Sequence, residues 1–460
     1  MRGLSFLLLA ALSAGAQIKM PPFQKTALDN GASLILMQKR DLPLVSVRVT
    51  VKGGSEADAA GMEGTASVLA ELLTQGTKTR TREQIAEEVD MLGARLNAGS
   101  GRQAIGVDME FLAKDVDKAL AILGDVLKNP AFPEEEFKRL IARRLDRVKA
   151  AKDQPQAAVS AHYMAYFYGK EHPYGRPMGG DENSLPKLSR AALEAYYKQF
   201  FVGKNMIVTV SGDFETATMK QKMQALLAGV GPGTAYEWKK VPPLKASASS
   251  RMLLVDKPDA TQTYFIIGQP GMERTNPDRT AIELVNTLFG GRFTSMLNDA
   301  LRVDSGLTYG ARSTVEMDRL PGSIYISTFT KNESTEQAID LALKQIEKLR
   351  TQGINAEQLA SAKAYVKGLY PTQQLETSDQ LADVLTDLEI FGLNRGEVDD
   401  FISRVDSVSV EQANAVAKKY YRDAGLVFVL VGKAADIRKT AGKYAKDVVE
   451  VPITKPGYGQ

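Results

Sequence analysis

Val45, Val47, Val49 and Val51 alternate with Ser46, Arg48 and Thr50. A period of two predicts a half-buried strand, apolar on the core side only. Ile105–Phe111 and Ile324–Phe329 also read as strands, and Thr263–Ile267 before Gly268 plays the part of the valine strand later in the chain. Between the strands lie helical stretches, one opening at Asp117-Lys118-Ala119-Leu120 and its counterpart at Glu336-Gln337-Ala338-Ile339. Phe132-Pro133-Glu134 and Ile354-Asn355-Ala356 mark a second pair of helix starts. The clearest repetition comes late in each half. Leu188-Ser189-Arg190 runs through Tyr196-Tyr197 and Phe200-Phe201 to the strand Ile207–Ser211 and Gly212-Asp213. Val408-Ser409-Val410 runs through Lys418-Lys419 and Tyr420-Tyr421 to Val427–Val431 and Gly432-Lys433. Each version is a capped helix, an aromatic pair, a buried strand and a glycine turn.

The pattern predicts an α+β protein built from two homologous domains, each a mixed or mostly antiparallel sheet with helices covering one face. Gly231-Pro232-Gly233-Thr234, Val241-Pro242-Pro243 and Ala246–Ser250 read as an irregular linker. The expected boundaries are 17–230 for the first domain, 231–250 for the linker, 251–445 for the second domain and 446–460 for a tail. Residues 1–16 are expected to be a signal peptide: Arg2, the apolar run Leu4–Leu12 and the small-residue site Ser13-Ala14-Gly15-Ala16 occur in order. That run is shorter than the roughly 20 residues a membrane span requires. The expectation is therefore export to the periplasm or exterior after cleavage near Ala16.

Composition narrows the chemistry. The 58 basic and 55 acidic residues leave a net charge of +3, and no basic run argues for nucleic acid. The chain has no cysteine, which excludes disulfides, thiolate metal sites and a cysteine nucleophile. His162 and His172 are its only histidines, too few for a histidine-rich metal centre. The surroundings of His172, Glu171-His172-Pro173-Tyr174-Gly175, favour loop anchoring over catalysis. Tyr163, Tyr166, Phe167 and Tyr168 favour core packing. No G-x-S-x-G elbow with a paired histidine is evident, so an independent serine hydrolase is a weak reading.

The stretch Gly61–Lys78, containing Thr65-Ala66-Ser67-Val68-Leu69-Ala70-Glu71-Leu72-Leu73 and ending in Gly76-Thr77, resembles the zinc helix of the pitrilysin-type (inverzincin, M16) metallopeptidases. That family carries H-x-x-E-H, which on a helix places both histidines on one face with the glutamate beside the bound water. Counting back from Gly76-Thr77 sets Ser67 and Glu71 where the histidines stand and Ala70 where the glutamate stands. Ser67 is a poor zinc ligand and Ala70 cannot take a proton. The family's third ligand is a glutamate on a later helix. Aligning on Asp153-Gln154-Pro155 places Arg147 there, with Asp146 one step off. The resemblance thus implies a degenerate site at Ser67, Ala70, Glu71 and Arg147. Two readings are open for Glu71 and Arg147: an ion pair filling the site, or two separately solvated side chains.

The segment Phe289-Gly290-Gly291, running through Leu301-Arg302 to Gly306-Leu307-Thr308-Tyr309, is similar to a second family pattern, a glycine-led helix ending in Leu-Arg before Gly-Leu-x-Tyr. In the family that arginine and tyrosine reach across a closed clamshell, hold the substrate backbone and stabilise the oxyanion. Arg302 and Tyr309 match, and both suit the role because a guanidinium and a phenol donate to developing negative charge. Gly306 is expected to end the helix in a left-handed turn and Tyr309 to start a strand. Gly290-Gly291 lacks the rest of a phosphate loop.

The resemblance implies a half clamshell that binds no metal itself. It also implies a zinc-bearing H-x-x-E-H partner chain, with which it forms a heterodimer, and a peptide or unfolded substrate held partly by strand addition. The alternative is a non-enzymatic peptide-binding or scaffold protein of the same fold.

Overall fold

The structure is a computed structural model that describes residues 18–242, 244 and 247–459. The expected signal peptide lies outside the described residues. Two six-stranded sheets form its frame. The first contains β1 Phe23–Ala27, β2 Ser33–Gln38, β3 Leu44–Lys52, β4 Arg95–Ser100, β5 Ala104–Leu112 and β6 Met206–Gly212, in the order β1-β2-β6-β3-β5-β4. The second contains β7 Arg251–Asp256, β8 Gln262–Pro270, β9 Ala311–Val315, β10 Ser323–Lys331, β11 Val427–Gly432 and β12 Asp447–Pro452, in the order β12-β7-β11-β8-β10-β9. The five positions from β2 to β4 match those from β7 to β9 strand for strand. Only β2–β6, β7–β11 and β12–β7 pair in parallel, so the sheets are mixed and mostly antiparallel.

The outermost strands beside β2 and β7 differ. β1 forms a hairpin with β2, whereas β12 returns from the end of the chain and runs parallel to β7, with Val448 opposite Met252. Residues 447–452 are therefore part of the second sheet, not a tail outside it. Beyond them the chain crosses back: Lys152 Nζ donates to the Lys455 carbonyl at 2.6 Å, and Gly457 N donates to Glu182 at 2.9 Å.

β3 departs from the half-buried expectation. Its valines are buried, but so are Ser46 and Thr50, and Arg48 is largely covered. The cause is the helix Ser378–Ile390, which belongs to the second half of the chain yet lies across the first sheet. Asp379 accepts from Ser46 Oγ at 3.2 Å and from Arg48 at 3.4 Å, and the Thr386 and Thr209 hydroxyls meet at 3.0 Å. The exchange is reciprocal. The helix Pro155–Tyr168, from the first half, packs on β8 and β11 and buries Tyr163, Tyr166, Phe167 and Tyr168 against residues such as Ile266 and Val429. Each sheet thus has helices on both faces, and the layer that covers one face comes from the other repeat.

A polar junction joins the two units. The buried Glu56 accepts from Gln103 at 2.9 Å and from Arg319, and the Tyr174 hydroxyl accepts the Leu320 N–H at 3.0 Å. The linker has no helix or strand among its described residues but is pinned. Gly231 and Pro232 carbonyls accept from Gly203 and Lys204, and Trp238 carries the Arg319 guanidinium at 4.7 Å.

Candidate functional site

The helix Thr65–Leu73 is started by a side chain from outside it. The Asp58 carboxylate accepts the backbone N–H groups of Gly64 and Ala66, each at 2.9 Å, and so satisfies donors a helix start leaves free. Burial pushes the Asp58 carboxyl up to about 7 despite those bonds. Gly64 adopts a φ of +95°, and a Cβ there would stand 2.9 Å from the Gly180 nitrogen, so only glycine allows the helix to approach the 179–180 turn. Ala66, Val68, Leu69, Ala70, Leu72 and Leu73 are buried in the first core. Ser67 and Glu71, one turn apart, share the remaining open face.

Arg144 fills the space in front of that face. It projects from the helix Glu134–Lys152, donating to Ser67 Oγ at 3.0 Å, the Ser67 carbonyl at 3.0 Å, Glu71 Oε2 at 2.8 Å and the Gly179 carbonyl at 3.3 Å. Arg143 stands 3.6 Å from the other Glu71 oxygen. Arg147 does not take part. It is exposed, and among the described residues it forms no ion pair; Asp146 is exposed as well. The niche is therefore filled by Glu71 and Arg144, not by Glu71 and Arg147. Phe137, Leu140 and Arg144 are the side chains of this helix buried toward the 65–73 helix and its surroundings, whereas Arg147, three residues further on, stays exposed. A zinc ion does not fit this donor set. A guanidinium has five donors and no acceptor, and it already occupies the one carboxylate present. Among the described residues no three His, Cys, Asp or Glu side chains cluster.

Arg302 and Tyr309 lie in the second unit. Leu301 is fully buried, and the Leu307 and Thr308 N–H groups both donate to its carbonyl, at 3.0 and 3.3 Å. Gly306 closes the helix with a φ of +63°, the left-handed turn expected of it. Tyr309 does not begin the strand. β9 starts two residues later, and Thr308 and Ala311 supply the buried anchors on either side. Tyr309 itself is 84% exposed and lines a cavity of about 620 Å³ with Phe293, Arg312, Tyr325 and Phe329. The Arg302 guanidinium lies 4.4 Å above the Phe293 ring, and Phe293 is also exposed. Among the described residues no hydrogen bond or ion pair joins Arg302 or Tyr309 to each other or to the Ser67–Glu71 face. Gly290 serves packing: a Cβ there would meet the Ser313 nitrogen of β9 at 2.5 Å.

The histidines are structural. His162 Nδ1 accepts the Gly459 N–H at 3.1 Å, and His172 Nδ1 accepts the Tyr174 N–H at 3.1 Å while its ring stacks on Tyr168. Burial, followed by neighbouring cations, lowers each pKa to about 4, which keeps both rings neutral acceptors.

Paired α+β repeats, each a mixed six-stranded sheet with helices on both faces, define the class of fold. The chain belongs to the M16 peptidase family: residues 34–182 match the family model described as insulinase (peptidase family M16), and residues 187–366 match that described as peptidase M16 inactive domain. Relatives include an uncharacterized zinc protease of Rickettsia bellii, 27% identical over 358 residues, covering 75% of this chain and 85% of the relative. Another, an uncharacterized zinc protease of Mycobacterium leprae, is 26% identical over 400 residues and covers 85% and 88%. The fold is that of a peptidase M16 inactive domain from Pseudomonas fluorescens (TM-score 0.83, 24% identity, 89% and 98% covered). A protease from Helicobacter pylori shares it too (TM-score 0.81, 18% identity, 90% and 99% covered).

Proposed function

We propose that this chain is the non-zinc subunit of a two-chain M16 metallopeptidase, exported from the cytoplasm and paired with an H-x-x-E-H-bearing chain. One observation carries the reading. The niche beneath the 65–73 helix is taken by Arg144, while Tyr309 and Phe293 stand exposed beside an open cavity in the same chain, with the half-buried Arg302 over the Phe293 ring. The partner's zinc supplies the activated water. Arg302 and Tyr309 hold the substrate carbonyl and donate to its oxygen as negative charge develops, an effect that strengthens when the closed assembly excludes water. The exposed position of Tyr309 suits a group completed by a second chain, because a phenol buried within one unit could not reach across an interface.

The test is reconstitution. The purified chain is mixed with a zinc-bearing family partner from the same cell and peptide hydrolysis is followed. The expected result is activity only in the mixture, with Arg302→Ala lowering kcat/KM roughly 100-fold and Tyr309→Phe somewhat less. Unchanged kcat/KM in both variants rejects the assigned roles. Peptide binding by the isolated chain with no hydrolysis in any mixture would favour the scaffold alternative.

A further inference from the structure

The two repeats do not treat corresponding positions alike. The helices Glu134–Lys152 and Ala356–Gln374 are each 19 residues long, and Val366 holds in the second the place Arg144 holds in the first. Glu283, followed by the buried Leu284 and Val285, stands on the helix Arg279–Asn286 much as Glu71, followed by Leu72 and Leu73, stands on its own. With valine in place of arginine the second niche stays open as a cavity of about 530 Å³, closed on its far side by the exchanged helix 378–390. That volume is within the range of small-molecule sites.

Its polar wall is built around Glu397. Arg274 approaches that carboxylate at 2.9 Å, Arg279 at 2.5 Å and Arg404 at 3.4 Å. Three guanidiniums thus share one anion. Arg279 and Arg404 are further engaged by the Asn276, Gly396 and Glu397 carbonyls. The Arg274 side chain has no other partner among the described residues, so its remaining donors are free. Apolar lining comes from Tyr370, stacked on Phe401 with centroids 3.7 Å apart, and from Leu388. Glu283 and Asp387 also line the space, without an ion-pair partner among the described residues. Both side chains are exposed, and solvent screens the negative charge they oppose to an anion.

We propose that this cavity binds an organic carboxylate with an apolar body, its head on Arg274 and its body against Tyr370, Phe401 and Leu388. A guanidinium pairs with a carboxylate through parallel N–H bonds, and the apolar wall gains from covering an aliphatic or aromatic tail. The site does not depend on the partner-zinc reading. Two sources share the chemistry: a medium-chain fatty acid and the carboxyl terminus of a short apolar peptide.

Calorimetry on the full chain distinguishes them, with octanoate, N-acetyl-Leu-Phe as the free acid, and the same dipeptide as its C-terminal amide. At least one acid is expected to bind, with the amide tenfold weaker or more. Octanoate alone assigns a lipid acid, the dipeptide acid alone assigns a peptide terminus, and both together assign the carboxylate as the shared determinant. Arg274→Ala is expected to weaken binding at least tenfold. Val366→Arg, which fills the cavity as Arg144 fills its counterpart, is expected to abolish binding with the melting temperature retained, and it serves if Arg274→Ala does not fold. No heat from either acid at about 1 mM, equal binding of acid and amide, or full binding in Val366→Arg overturns the proposal.

Discussion

The niche under the 65–73 helix and its mate under the 279–286 helix begin from the same plan and end differently. Each has a glutamate on a short buried helix, a 19-residue helix facing it and a helix exchanged between the units nearby. In the first, Arg144 ties Ser67, Glu71 and the Gly179 carbonyl together and leaves no room. In the second, Val366 leaves the space empty and the arginines gather on Glu397 instead. A duplicated fold preserves backbone geometry through its cores, while one side chain decides whether a niche is a closed ionic contact or a cavity.

The exchanged helices differ as well. The 155–168 helix clasps the second sheet through aromatic rings and a neutral, buried His162. The 378–390 helix clasps the first through Leu381, Leu385 and Leu388 on Ile35, Met37 and Ile207, and adds hydroxyls and the Arg48 ion pairs with Asp379 and Asp383.

The sharpest test of the first niche is to reverse it. Ser67→His and Glu71→His combined with Arg144→Glu are expected to give a chain that holds about one zinc ion, measured by atomic absorption after dialysis. The same histidines combined with Arg147→Glu are expected to hold none, because residue 147 faces away. Equal zinc in both would refute the position given to Arg144.

The clasp made by the 155–168 helix is expected to respond to acid. Unfolded, His162 takes up a proton near pH 6.5; folded, only near 4. Between those values the unfolded chain binds more protons. The stabilisation is therefore complete above pH 6.5 and is lost as pH falls through about 4, by about 3 kcal/mol for one histidine. His172 adds a change of the same sign. Asp58 has the opposite sign, since its raised pKa favours the folded state at lower pH. The informative quantity is thus the difference between the native chain and His162→Gln in urea unfolding from pH 4 to pH 7. Parallel curves would show that the imidazole does not titrate in this way.

A smaller effect is expected from Arg144→Ala alone. It removes four donated bonds and leaves Glu71 with only the more distant Arg143, a loss of about 2 kcal/mol, softened because Glu71 keeps some contact with water. Chemical denaturation measures it. The smallest concerns the other clasp. Asp383 is half exposed, so Asp383→Ala should cost no more than about 0.5 kcal/mol and the cost should vanish in high salt. A larger, salt-independent loss would mean that the 378–390 helix depends on that pair more than its exposure implies.

Much of the frame was legible in the residues. The valine alternation marks β3 because a strand's period of two needs no distant partner to be seen. Gly306 marks its helix end because a left-handed turn favours the residue without a Cβ. The burial of Ser46 and Thr50 was not legible, since the helix that covers them lies more than 300 residues later. β12 was missed for a similar reason: a short edge strand is stabilised by a neighbour distant in sequence. At the site, Ser67, Ala70 and Glu71 could be located from the pattern around them. Arg144 and Arg147 are the same residue type three positions apart on one helix, and the choice between them required the packing of that helix against the 65–73 helix.

The sequence by itself determined that the chain is a duplicated α+β protein of the M16 family, because periodicity, glycine positions and residue identity are local properties. Only the tertiary structure decided which arginine pairs with Glu71, which helix covers which sheet and which of the two niches remains open. Those outcomes depend on side chains from separate segments meeting in space, and packing fixes them only when the whole chain has folded.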